Sequence, residues 1–181
     1  DDVAWENDLT AFRAYGPALQ ETGERAFGYD IWTKYNTTEP VVEARYEGEL
    51  NPDMKTKIAE LGKTDPKAAQ ELYRSVSYHV DHGNGLDCYK VGPTLGGGTT
   101  ALMAGDTIVY PYCYATQEIL DNGPLRFTVK LVYNPLVVKG DSTIIETRII
   151  TLDAGSYCNK TVVSYTNLKE TMPLAVGIVL H

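Results

Sequence analysis

Two of the three histidines in this 181-residue chain stand three positions apart, in SYHVDHGNGLDCYKVGPTLGGGTT from Ser77 to Thr100. Imidazole is the side chain whose ordinary pKa lets it give or take a proton near neutrality. His79 and His82, with Asp81 between them and Tyr78 before, therefore form a candidate acid–base cluster. In an extended segment His79 and Asp81 point one way and His82 the other; a turn at HGNG brings all three together. The same groups could hold a divalent metal, but their spacing matches no strong metal signature. Metal-free proton transfer is preferred, and no cofactor is expected. The plainer role for either histidine is a bond to a loop carbonyl or exposure to water. Asp87 and Lys90, close behind, favour a site. Gly96–Gly98 lack the Lys-Ser/Thr of a phosphate loop and suit a bend or close backbone packing instead.

Strands must position such a cluster. WENDLTAFRAYGPAL is expected to be one strand entering a Gly-Pro turn, and AFGYDIWTKYN a second. At a period of two, Trp5, Asn7, Arg13 and Tyr15 share one face of the first, and Asp30, Trp32 and Lys34 one face of the second. Aromatic plates beside charged and amide groups are what a sugar cleft needs, a flat apolar platform with directional hydrogen bonds. The alternative is a half-exposed strand whose Trp covers a core edge. NPDMKTKIAELGKTDPKAAQELYRSV carries Met54, Ile58 and Leu61 at helical spacing and a TDP start signal, so a helical insertion is expected over about 51–74. From Thr107 onward, short β-rich runs separated by DNGP, KGDS and DAGS turns predict an antiparallel meander. In LRFTVKLVY, Phe127, Val129, Leu131 and Tyr133 fall on one face, which is core by default.

The bulk properties narrow the function classes. A formal charge of −8 and a pI near 4.8 oppose non-specific attraction to nucleic acid or anionic lipid. No apolar run is long enough for a membrane-spanning helix, and no membrane insertion is expected. The chain begins DDVAWEND, with neither an initiator Met nor a basic-then-apolar leader, so any export signal has been removed or was never present. Cys88, Cys113 and Cys158 are too few and scattered for a disulfide framework. At most one pair bridges; Cys113 and Cys158 are expected as small core residues and not as metal ligands. A mainly β chain of this length can build one sandwich domain over 1–181, alone or as part of a larger one.

Four blocks, WENDLTAFRAYGPAL, GYDIWTKY, YHVDHGNGLDCYKVGPTLGGG and TRIITLDAGSYCNKTVVSYTN, resemble in order those of the family catalogued as domain of unknown function 4861. The resemblance implies a β-sandwich similar to the galactose mutarotase-like supersandwich. It also implies export, secreted or periplasmic, by bacteria that degrade polysaccharides, and dehydration or lyase-type elimination on uronic-acid oligosaccharides. Such chemistry needs a cation to neutralise the carboxylate, a base for the adjacent carbon acid and an acid for the departing oxygen. Arg13, Lys34 and Lys90 are candidates for the first task, Arg13 preferred for its planar fork. His79 and His82 are the candidates for proton transfer, with Tyr15 as the alternative. Trp5 and Trp32 are the expected platforms, and Asn7, Asp8, Asp30 and Asp87 the groups that grip hydroxyls. A carbohydrate-binding module needs the platforms without poised histidines; a mutarotase or epimerase needs no carboxylate clamp. On the elimination reading, His79 and His82 share one concave surface with Arg13 and at least one tryptophan.

Overall fold

The computed structural model describes residues 2–35 and 37–180. Asn36, which ends the second expected strand, and His181 lie outside the described residues. The first surprise is local. WENDLTAF is a hairpin, β1 (Val3–Glu6) and β2 (Thr10–Ala14), where one strand was expected. The Asn7 carboxamide oxygen accepts the backbone N–H of Leu9 and Thr10, a side-chain mimic of a backbone turn. After a one-turn helix α1 (Pro17–Glu21), β3 (Asp30–Thr33) completes a three-stranded antiparallel sheet in the order β1-β2-β3.

Helices follow: α2 (Val42–Leu50), α3 (Pro52–Thr64) and α4 (Pro66–Val76). The last two start where the sequence says they should. Asn51 caps α3 through Asp53 and Met54 N–H, Asp65 caps α4 through Ala68 N–H, and a Pro follows each cap. The insertion nevertheless begins earlier than Asn51, because α2 precedes it. VEARYEGEL has no capping side chain and contains Gly48, so its helix is set by packing of Val42 and Tyr46 against β3.

The rest is antiparallel β-structure, as expected, but the meander takes in only 114–166: the strands at 107–109 and 174–178, expected to belong to it, pair instead with 97–104. β4 (Gly97–Ala104), β5 (Thr107–Val109) and β11 (Leu174–Ile178) make one sheet, β11-β4-β5. β6 (Tyr114–Asn122), β7 (Arg126–Tyr133), β9 (Asp141–Asp153) and β10 (Lys160–Thr166) form the meander, with β8 (Leu136–Val138) paired to β9. Val129, Leu131 and Tyr133 of β7 are buried on one face, with Phe127 partly so. That face packs against Val3, Trp5, Phe12 and Ala14 of the three-stranded sheet, an open sandwich with one core between its layers. Leu102 of β4 meets Leu136, Val138 and Ile144 in a second core. The two smaller sheets touch where Tyr29 bridges Gly96, and added Cβ atoms at Gly96 and Gly97 would collide with Tyr29 and Ile31. The triple glycine is thus a close-packing device. Cys113 is buried beside Asn134, whereas Cys158 is exposed, and all three cysteines are free thiols.

Candidate functional site

The hairpin decides which side chains can meet. Trp5 pairs with Phe12, whereas Arg13 pairs with Ala4 on one side and Asp30 on the other. Directly opposed residues share a face, so Trp5 faces the sandwich core while Arg13, Asp30 and Trp32 face outward toward the helices. On that outer face one Arg13 nitrogen donates to Asp30 Oδ2 (2.7 Å) and Tyr15 Oη (2.8 Å), and the other donates to the Tyr46 hydroxyl. Tyr15 in turn donates to Asp30 (3.2 Å).

The segment after α4 returns alongside β3. Thr33 N–H donates to Leu86 carbonyl (3.0 Å), Trp32 bridges Asp87, and Asp87 N–H donates to Tyr78 carbonyl (2.9 Å). Gly85 makes this possible: it has φ +93°, and any Cβ there would run into the Thr33 carbonyl. Asp87 is thereby set beside Asp30, and His79 stands over it. Arg13, Tyr15, Asp30, His79, Asp87 and Lys90 line one cleft of about 440 Å³.

Its electrostatics suit proton transfer. Burial, helped by the Asp30 carboxylate, pushes the Asp87 carboxyl up from 3.8 to about 6, against the pull of Arg13 and His79. Burial also raises Asp30, despite its bonds from Arg13, Tyr15 and Ile31 N–H. Tyr15 is pushed well above its ordinary value by burial and then by Asp30, so it keeps its proton. Burial alone would lower the Arg13 pKa, but Tyr15, Tyr46 and Asp30 outweigh it and hold the guanidinium charged. His79 Nδ1 lies 3.0 Å from the Asp87 carbonyl oxygen. A carbonyl only accepts, so Nδ1 carries the hydrogen, and in the neutral ring Nε2 is left as a basic lone pair.

Other expected site residues are placed elsewhere. The His82 Nε2 donates to the Ser77 carbonyl (3.0 Å), and His82 lines neither this cleft nor the larger one beside it. Asp81 is used by Tyr35 and by the N–H groups of Gly83 and Gly85, so the three groups do not gather. Among the described residues no set of three or more His, Cys, Asp or Glu side chains is placed to hold a metal. Trp5 is only 3% exposed, stacked on Phe12 and Phe127 with Nε1 donating to Asn159. Trp32 is 1% exposed under Tyr46 and Tyr78. Both indoles are core, and neither presents a platform. The Asn7 amide nitrogen donates to the Asp153 and Ser156 carbonyls, and Asp8 accepts Gly155 N–H, tying the hairpin turn to the β9–β10 turn. Lys34 is buried against Glu6 and the carbonyls of Asn7 and Glu39. The expected faces of Trp5 with Arg13, and of both histidines together, are therefore corrected: each hinged on a turn that reverses the side-chain alternation.

Sequence reasoning missed Tyr46, which braces Arg13; Tyr78, already noted beside the histidines, has its ring 4.5 Å from the His79 ring. The one local signal for Tyr46 was the spacing of four from Val42, in a run with no cap and with Gly48 inside it.

Comparison with known proteins names no activity. The chain is 27% identical over 188 residues to "Uncharacterized protein P7" of Formosa agariphila; the match covers 100% of this chain and 41% of that relative. The chain therefore spans about two-fifths of the relative's length. No solved structure matches it. The family match runs over residues 1–181, taking in the hairpin, the returning loop and the meander alike, and by it the chain belongs to the family described as "Domain of unknown function (DUF4861)".

Proposed function

We propose that the chain is an acid–base enzyme acting on uronic-acid-containing oligosaccharides by elimination of water or an alcohol, in an exported, secreted or periplasmic setting. The observation that carries this reading is the pairing of a basic His79 Nε2 with the high Asp87 carboxyl on one cleft wall beside Arg13. His79 takes the proton from the carbon next to the uronate carboxylate. The C–H electron pair becomes a carbon–carbon double bond as the neighbouring C–O bond breaks, and Asp87 in its protonated form delivers a proton to the departing oxygen. No oxidant is needed. Arg13 and Lys90 offset the substrate carboxylate, and Tyr15, which keeps its proton, braces Asp30 and Arg13. Lys34 takes no part, because it is buried on Glu6 and lines neither cleft.

The test is incubation with acidic oligosaccharides while watching for the near-ultraviolet absorbance of an unsaturated uronate. His79→Ala should cut turnover by ~10²–10⁴-fold, the usual loss for a general acid or base. His82→Ala should leave it within about threefold, since its ring faces Ser77. A second reading, a binding module without catalysis, draws on that same orientation of His82 and needs only one polar cleft. Glycan binding with no product, unchanged by His79→Ala, would put it first.

A further inference from the structure

The outer face of the three-stranded sheet is covered unevenly. α2 closes over Ala11 and Trp32 with Val41 and Val42. Over β1 the covering side chains are small. Ala4 and Ala18 are both exposed, and a second cleft of about 640 Å³ opens between α1 and α2. Its lining carries Ala4, Ala18, Leu19, Val42 and Tyr46, together with Trp5, whose indole is turned to the core on the other face of the sheet. Arg13 and Leu19 line this cleft and the one holding His79, so the two chambers share a wall.

Their charges differ by Lys90 and His79, which in the first cleft join Arg13 against Glu24, Asp30 and Asp87. Around the second chamber stand Asp2, Glu6 and Glu43, and Arg13 is the sole cation among the residues lining it. Glu6 is held by Lys34 and by the N–H groups of Val41 and Val42, and Asp2 by Gly16 N–H, so both carboxylates are fixed in place. Glu43 is exposed at the rim. A second uronate here would meet Asp2 and Glu43, with Glu6 already paired to Lys34, and one guanidinium that is already shared. An uncharged sugar ring meets no such repulsion: its C–H face can lie on alanine, leucine and tyrosine, and its hydroxyls can donate to carboxylate oxygens.

We infer that the chamber over Ala4 is a subsite for an uncharged sugar residue joined to the uronate bound at His79 and Asp87. Tyr46 supplies the aromatic face that neither tryptophan offers. This rests on the function proposed above and sets its substrate class: the ligand is at least a disaccharide, and the uronate's neighbour is neutral.

The test is calorimetric titration of the full chain with three probes: free glucuronate, a diuronate, and an aldobiouronic acid in which the uronate is linked to a neutral sugar. The aldobiouronic acid should bind at least tenfold more tightly than either other probe. Ala4→Trp and Ala18→Trp, each at an exposed position, should fill the chamber and erase that advantage while leaving glucuronate affinity as in the wild type. Circular dichroism checks that each variant is folded. Equal affinity for the diuronate and the aldobiouronic acid overturns the inference, as does an advantage that survives both tryptophans. Those results leave the elimination reading standing, whereas a wild type that binds none of the probes sinks both together.

Discussion

Asp87 makes a demand on the protein that can be measured without any substrate. In the unfolded chain its carboxyl ionises near 3.8, and in the folded protein it holds its proton to about 6. Between those values the unfolded state loses the proton first, so this residue's contribution to stability falls as pH rises and is fully lost above the folded value. The gap is worth at most about 3 kcal/mol. Asp30, also raised by burial, acts in the same direction. Asp87→Asn should therefore be more stable than the wild type by about 1–3 kcal/mol at pH 7.5 and similar to it at pH 3.5, read from urea midpoints. Equal midpoints at both pH values would mean that Asp87 ionises as freely in the fold as in water. Residue type and spacing pointed to Asp87, Arg13, Asp30, Tyr15 and His79. They could not tell His79 from His82. That choice is made by a loop whose glycines at 83 and 85 take positive φ, which no alternation rule covers.

At the scale of elements, the error with the widest reach was one turn. WENDLTAF has no Gly or Pro at its bend, and the usual punctuation was missing. Asn7 makes the turn with its own side chain: it accepts two N–H groups and donates to two carbonyls of the opposite layer. Placing the bend there turns Trp5 and Arg13 to opposite faces. Asn7→Ala removes four bonds at once and takes the Asn7 donor from the part-buried Ser156 carbonyl, while the Asp153 carbonyl keeps Ser156 N–H, so a loss of about 2–4 kcal/mol is expected by thermal or urea unfolding. A loss under about half a kcal/mol would show that backbone pairing alone sets the hairpin. The helix starts were legible because Asn51-Pro52 and Asp65-Pro66 are local signals. α2 was not, since its cause is tertiary.

The whole molecule depends on something the sequence shows only in hindsight. In β9 the inward row reads Ile144, Glu146, Arg148, Ile150, Leu152, so an ion pair sits inside the sandwich with both partners fully buried. Arg148 donates to Glu146 (2.5 Å) and stacks on Tyr133, 4.4 Å from the ring centre. Removing one partner strands the other charge in the core, so Arg148→Met should cost about 3–5 kcal/mol. Glu146→Leu added to Arg148→Met should recover most of it, because the pair and an apolar replacement have similar worth. Double-variant stability no better than the single would mean the network holds the sheets in register. The strand order β10-β9-β7-β6 followed from hairpin spacing. How the three sheets stack did not, since it rests on contacts between residues far apart in the chain.

α3 buries none of its residues and is held chiefly by α4 and α2. Both cleft-bracing tyrosines lie outside it, Tyr46 on α2 and Tyr78 just past α4, each packed on Trp32. The helix is therefore a spar joining two anchored ends. For anyone tagging or extending the protein, the exposed α3–α4 corner at Lys63–Thr64 is the place to splice in a reporter or an affinity handle, since lengthening the chain there pulls on neither anchor.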